Sequence, residues 1–108
     1  MKPKNNINLK AIKEVVERAA QKLKPEMVIL FGSYAYGTPN HDSDVDLLFV
    51  KKTQLKGVKR YCLVSQNMEH PFPMDILVKT PKEIKDLLKM GDSFYKEILG
   101  KGKVLYES

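Results

Sequence analysis

Four short apolar runs set the limits on how this chain can fold. They are Met27–Phe31, Val45–Val50, Met74–Val78 and Val104–Tyr106, each of strand length. Between them lie segments with helical periodicity. Asn8 is placed to cap a helix over Leu9–Leu23, in which Leu9, Ile12, Val15, Val16, Ala19, Ala20 and Leu23 recur at helical spacing. Pro25 ends it. Gly32 and Ser33 lead into one or two helical turns over Tyr34–Tyr36, and residues 37–42 are loop by composition. Thr53 is placed to cap a helix running to Met68, with Leu55, Val58, Cys62 and Ser65 along one stripe. Thr80, Pro81 and Glu83 spell a capping box with proline at the first helical position. Gly91 interrupts that helix, Asp92 caps its continuation to Leu99, and Gly100 and Gly102 lead to the last strand. The order α-β-α-β-α-β-α-α-β predicts an α/β or α+β domain, a small mixed sheet of about four strands with helices packed on it.

Residues 1–108 make one domain. A TIM barrel needs about 250 residues, and a complete two-half dinucleotide fold does not fit either. Cys62 is the only cysteine, so neither an internal disulfide nor a zinc site can be built from cysteines. No apolar run approaches the ~18 residues of a membrane span. The opening MKPKNN never becomes a signal peptide, because Lys10, Lys13 and Glu14 break up the apolar stretch. A cytoplasmic protein is expected.

Nineteen Lys and Arg against 13 Asp and Glu give a net charge of +6. The excess is uneven. Residues 1–24 carry seven basic residues against Glu14 and Glu17, and Lys51, Lys52, Lys56, Lys59 and Arg60 fall in a stretch without an acid. Such stretches suit an anionic partner, whether nucleotide, RNA or an acidic protein surface, although a solvated lysine-rich surface is the plainer reading. Direct nucleic-acid binding is not the favoured reading.

The acids gather instead at Asp42, Asp44 and Asp46. Side chains at i and i+2 leave a strand on one face, roughly 6.7 Å apart. Asp44 and Asp46 can therefore hold cations jointly. A third acid, Asp75, interrupts the Met74–Val78 run, where it would be costly if buried unpaired. Both costs resolve if Asp75 lies on a neighbouring strand facing the same cations. Hard oxygen ligands suit Mg²⁺ or Mn²⁺, and a pair of such ions serves in-line displacement at phosphorus. Gly32-Ser33 opens a short helix directly after a strand, a place where backbone N–H groups and a hydroxyl can hold phosphate. Together these residues imply a nucleoside triphosphate with Mg²⁺. Other motifs fit less well. A P-loop would need Lys where Thr38 stands. A calcium loop would need Gly and Glu where Leu47 and Thr53 stand. Sugar transferases place the Asp pair after an apolar strand, whereas here the strand follows it.

Gly32-Ser33, ten intervening residues, then Asp44-Val45-Asp46 entering an apolar strand resembles the pattern of DNA polymerase beta-like nucleotidyltransferases. The short chain and the later Asp75 are similar to their smallest branch, the minimal nucleotidyltransferases. The resemblance runs from about Leu9 to Glu107 and implies a palm-like fold. It implies that Gly32 and Ser33 hold the triphosphate and that Asp44 and Asp46 hold two Mg²⁺ ions. Asp75 would be the third carboxylate, which helps deprotonate or orient the attacking hydroxyl. It further implies transfer of AMP from ATP, with release of pyrophosphate, to a tyrosine of a helical HEPN-type partner encoded nearby, as the antitoxin of a two-gene toxin–antitoxin system. A homo- or hetero-oligomer is then expected. One position departs from the pattern. Many relatives carry a basic residue where this chain has Tyr36, and Lys51 or Lys52 would have to stand in for it. That departure motivates an alternative, a weakly catalytic or non-catalytic module that neutralises its partner by contact. His41 and His70 read as loop residues, Cys62 as core packing, and Tyr34 and Tyr36 as packing.

Overall fold

The computed structural model describes residues 7–108. The reading of MKPKNN and the basic residues Lys2 and Lys4 lie outside the described residues. Helix α1 spans Leu9–Leu23, and the Asn8 side chain accepts a hydrogen bond from the Ala11 amide at 2.9 Å. The order continues as β1 (Met27–Phe31), α2 (Ser33–Tyr36), β2 (Val45–Val50), α3 (Gly57–Gln66), β3 (Met74–Lys79), α4 (Pro81–Lys89), α5 (Ser93–Lys101) and β4 (Lys103–Glu107). The strands form one sheet in the order β3-β2-β1-β4. β1 pairs antiparallel with β2 and β4, and β2 pairs parallel with β3. The result is the mixed four-stranded sheet that the sequence implies.

Alternation along the strands sends side chains to two cores. Val28, Leu30, Val45, Leu47, Phe49 and Ile76 face α1 and the end of α3. Ile29, Phe31, Leu48 and Val50 face α4 and α5. Central strands buried on both faces read as unbroken apolar runs, which is how β1 and most of β2 read. Gly102 lets the turn between α5 and β4 cross β1 closely: a Cβ there would stand 2.9 Å from the Leu30 carbonyl oxygen.

The third helix departs from expectation. It starts at Gly57 rather than after Thr53, with Lys56 at its cap. The Thr53 hydroxyl instead accepts from the Leu55 amide at 3.1 Å, closing a local turn. Gly57, at φ 58°, sits in a conformation that other residues rarely adopt. The stripe of Leu55, Val58, Cys62 and Ser65 is not the core face, since Val58 is 77% exposed and Cys62 is only half-buried. The buried positions of α3 are Arg60 and Val64. Arg60 turns inward because its guanidinium finds partners there: the carbonyls of Leu55 at 2.8 Å and Val78 at 3.3 Å, and Glu83 at 2.6 Å. α5 also outruns its expected end and contains Gly100.

Arg60 holds the Glu83 carboxyl down to about 2, aided by the Thr80 amide, which donates to the same carboxylate. A depressed carboxylate pKa stabilises the fold above its ordinary value of 4.5 and loses that contribution as pH falls towards 2. Glu83→Gln keeps a capping acceptor but removes the ion pair. It should lower stability at pH 7 by about 1 kcal/mol, a modest figure because the Glu83 side chain is 40% exposed. The difference from wild type should close in urea unfolding curves taken towards pH 2.

Candidate active site

The site begins where β1 ends. Gly32 takes φ 75° and turns the chain into α2. Its carbonyl accepts from the amides of Ala35 and Tyr36, both at 3.0 Å. Gly32 holds the cap position, so Ser33 is the first residue of the helix rather than its cap. The loop back to β2 is folded by Asn40, whose side chain accepts from the Asp42 amide at 2.8 Å. The Val45 amide then donates to the Pro73 carbonyl at 3.0 Å, which ties the start of β2 to the start of β3.

This closure places the acids. Asp46 pairs with Phe31 across the antiparallel β1–β2 ladder and with Asp75 across the parallel β2–β3 ladder. Asp46 and Asp75 are thus neighbours about 4.8 Å apart in strand spacing. Asp44 lies two residues before Asp46, while Val45 between them points into the opposite core. Gly32 stands directly against Asp46: a Cβ on it would lie 3.0 Å from Asp46 Cγ and collide with Oδ2. Glycine is therefore required twice here, by its φ and by the carboxylate it touches.

Asp46 is half-buried, whereas Asp44 and Asp75 are exposed. The exposure of Asp75 corrects the argument from burial cost. β3 is an edge strand, and water reaches its acid. Burial, with the charges of Asp75 and Asp44, pushes the Asp46 carboxyl up to about 6. Among the described residues, none of these three carboxylates has a hydrogen-bond or ion-pair partner. Unpaired hard oxygens that repel one another fit a divalent cation. Among the described residues, no three His, Cys, Asp or Glu side chains already stand arranged to hold a metal ion.

Lys51 and Lys52 do not supply the missing cation. They follow β2 at its other end, roughly 16 Å from Asp46 at strand rise. Lys51 donates to the Leu23 carbonyl at 2.7 Å, and Lys52 pairs with Glu26 at 3.8 Å. His41 is exposed in the loop, and His70 lies against the Ser65 carbonyl at 2.9 Å. Tyr34 packs on the core and Tyr36 is 41% exposed. No sequence motif marks Phe94, whose ring meets that of Phe31 at 5.9 Å. The available signal was its position off the apolar stripe of Tyr95, Ile98 and Leu99.

A family model described as polymerase beta, nucleotidyltransferase matches residues 10–108. A protein of Methanocaldococcus jannaschii, called a candidate protein adenylyltransferase, is 31% identical over 99 residues, 90% of this chain and 96% of its own. The crystal structure of a candidate nucleotidyltransferase from Sulfolobus solfataricus matches with a TM-score of 0.64 and 29% identity, over 92% of this chain and 79% of that one. A crystal structure of a toxin–antitoxin with AMP-PNP matches at 0.55 with 16% identity, over 89% and 73%, a likeness of fold.

An acid whose pKa is raised by folding costs stability once it ionises. Between 3.8 and about 6 the folded chain keeps a proton on Asp46 that the unfolded chain has lost, so stability falls as pH rises through that window. Asp46→Asn should therefore melt higher than wild type at pH 7 to 8 in a metal chelator. The gain should be on the order of 1 kcal/mol after screening at a half-exposed site, and it should vanish below pH 4.

Proposed function

The chain belongs to the polymerase beta nucleotidyltransferase family and is a nucleotidyltransferase; from that premise we propose that it moves AMP from ATP to a hydroxyl on a partner protein. The observation that carries this reading is the side-by-side register of Asp46 and Asp75, with Gly32 against Asp46. The relative called a candidate protein adenylyltransferase supports a protein acceptor. We take the acceptor to be a tyrosine of a helical HEPN-type protein encoded nearby, and this chain to be its antitoxin in the cytoplasm. The fold neighbour solved as a toxin–antitoxin with AMP-PNP is compatible with that assignment. We take residues 1–108 to serve as a single domain, a reading that the family match over residues 10–108 supports.

In this mechanism the backbone at Gly32 and the Ser33 hydroxyl hold the triphosphate. Asp44, Asp46 and Asp75 would hold two Mg²⁺ ions, which when bound neutralise charge on the attacking and leaving oxygens. Asp75 faces solvent, where an acceptor hydroxyl can reach it, and it takes the hydroxyl proton. The acceptor oxygen bonds to the α-phosphorus as the bond from that phosphorus to the bridging oxygen breaks, and pyrophosphate leaves with the electron pair. The proton passes from Asp75 to water.

Label transfer from α-labelled ATP with Mg²⁺ to the co-expressed neighbouring helical protein tests this. Asp44→Asn and Asp46→Asn should each reduce labelling by on the order of a hundredfold or more, with the fold retained. Undiminished labelling in either variant would sink the mechanism. A second reading, neutralisation by contact alone, is favoured by one observation: residues 25–50 contain no Lys or Arg to meet a triphosphate. On that reading the Asp44→Asn/Asp46→Asn double variant would still silence the partner.

A further inference from the structure

Phe94 lies in the first turn of α5 with 50% of its surface exposed. Two aromatic contacts fix its ring. Phe31 meets it edge-to-face at 5.9 Å and 90°, and Tyr95 does so at 5.1 Å and 86°. Phe31 is the residue paired with Asp46 and the residue immediately before Gly32. In an antiparallel pair, opposed residues share a face, so Phe31 and Asp46 point to the same side of the sheet. Phe94 is therefore one ring contact away from the residue that stands opposite Asp46 and leads into Gly32.

The edge-to-face contacts with Phe31 and Tyr95 use only part of this ring. The buried positions of α5 are Tyr95 and Ile98, and half of the Phe94 surface stays in water. A phenylalanine half in water forgoes much of the burial that makes aromatic residues useful in a core. What it offers instead is a rigid apolar face beside the site. Nucleobases stack on such faces whatever their hydrogen-bonding edges, because every base has a π-face.

We propose that the exposed face of Phe94 is the platform on which the base of the nucleoside triphosphate stacks while its phosphates lie at Gly32-Ser33. This rests on the nucleotidyl-transfer reading above. Stacking reads area rather than edges, so ATP and GTP bind alike and pyrimidine triphosphates bind more weakly.

Calorimetric titration with Mg-ATP and with Mg-tripolyphosphate, which lacks the base, tests the proposal on wild type, Phe94→Ala and Phe94→Trp. Phe94→Ala should bind ATP roughly five- to a hundredfold more weakly, the range for losing one base–aromatic stack, and bind tripolyphosphate as wild type does. Phe94→Trp should retain ATP binding. The chain has no tryptophan, so fluorescence of the new indole should be quenched by ATP and not by tripolyphosphate. Undiminished ATP binding by Phe94→Ala overturns the proposal. So does an equal loss of tripolyphosphate, which would mark Phe94 as structural. Wild type binding tripolyphosphate and ATP with equal affinity overturns the base platform alone. Wild type binding neither overturns the nucleotidyl-transfer reading as well.

Discussion

Parallel pairing of β2 with β3 is the constraint from which the site follows. It brings together two acids 29 positions apart, Asp46 and Asp75, by fixing a register that also opposes Leu47 to Ile76 and Phe49 to Val78. A slip by one residue would turn every side chain of β3 to the other face, moving Asp75 into the core under α1 and lifting Ile76 out of it. That penalty pins the register. Bonds at both ends reinforce it, from the Val45 amide to the Pro73 carbonyl at 3.0 Å and from the Lys51 amide to the Lys79 carbonyl at 2.9 Å. Arg60 secures the crossover helix that parallel strands require, by binding the Val78 carbonyl and the Glu83 carboxylate together.

The same division into two faces makes the acids accessible. Leu48, Val50 and Ile29 lie beneath α4 and α5. Asp46 and Asp75 lie side by side at the other end of that face, where Phe31 stands opposite Asp46 and meets the ring of Phe94. β2 thus buries Leu48 and Val50 towards one end of that face and leaves Asp46 partly open to solvent at the other. The cost of gathering three carboxylates is visible in Asp46, whose proton is held to about pH 6 by burial and by its two neighbours. Among the described residues no side-chain cation pairs with these acids, and mutually repelling carboxylates of this kind suit a divalent ion at this end of the sheet.

Much of this architecture was legible in the chain because local signals agreed. Asn8, the Thr80–Glu83 capping box and Asp92 each cap the helix expected of them, since a cap needs only the residues beside it. α3 was misread for the opposite reason. Its apolar stripe implied one buried face, but the inward position went to Arg60, whose partners lie 18 and 23 residues away on β3 and α4. No periodicity within a helix reports such distant partners. The placement of Asp75 beside Asp46 was anticipated, but for a faulty reason, because pattern alone does not distinguish an edge strand with a wet face from a central one. Lys51 and Lys52 looked close to the site in sequence and lie at the far end of β2, because a strand carries its two ends apart.

The sequence by itself determined the element order, the caps at Asn8, Thr80 and Asp92, and the number of strands, because each depends on residues near one another in the chain. Only the tertiary structure decided which strands run parallel and that Gly32 must leave room for the carboxylate of Asp46. It also decided that Arg60 would be buried and that Phe94 would stand over Phe31 at the site's edge. Those outcomes depend on register and on contacts between distant segments, which no local pattern encodes.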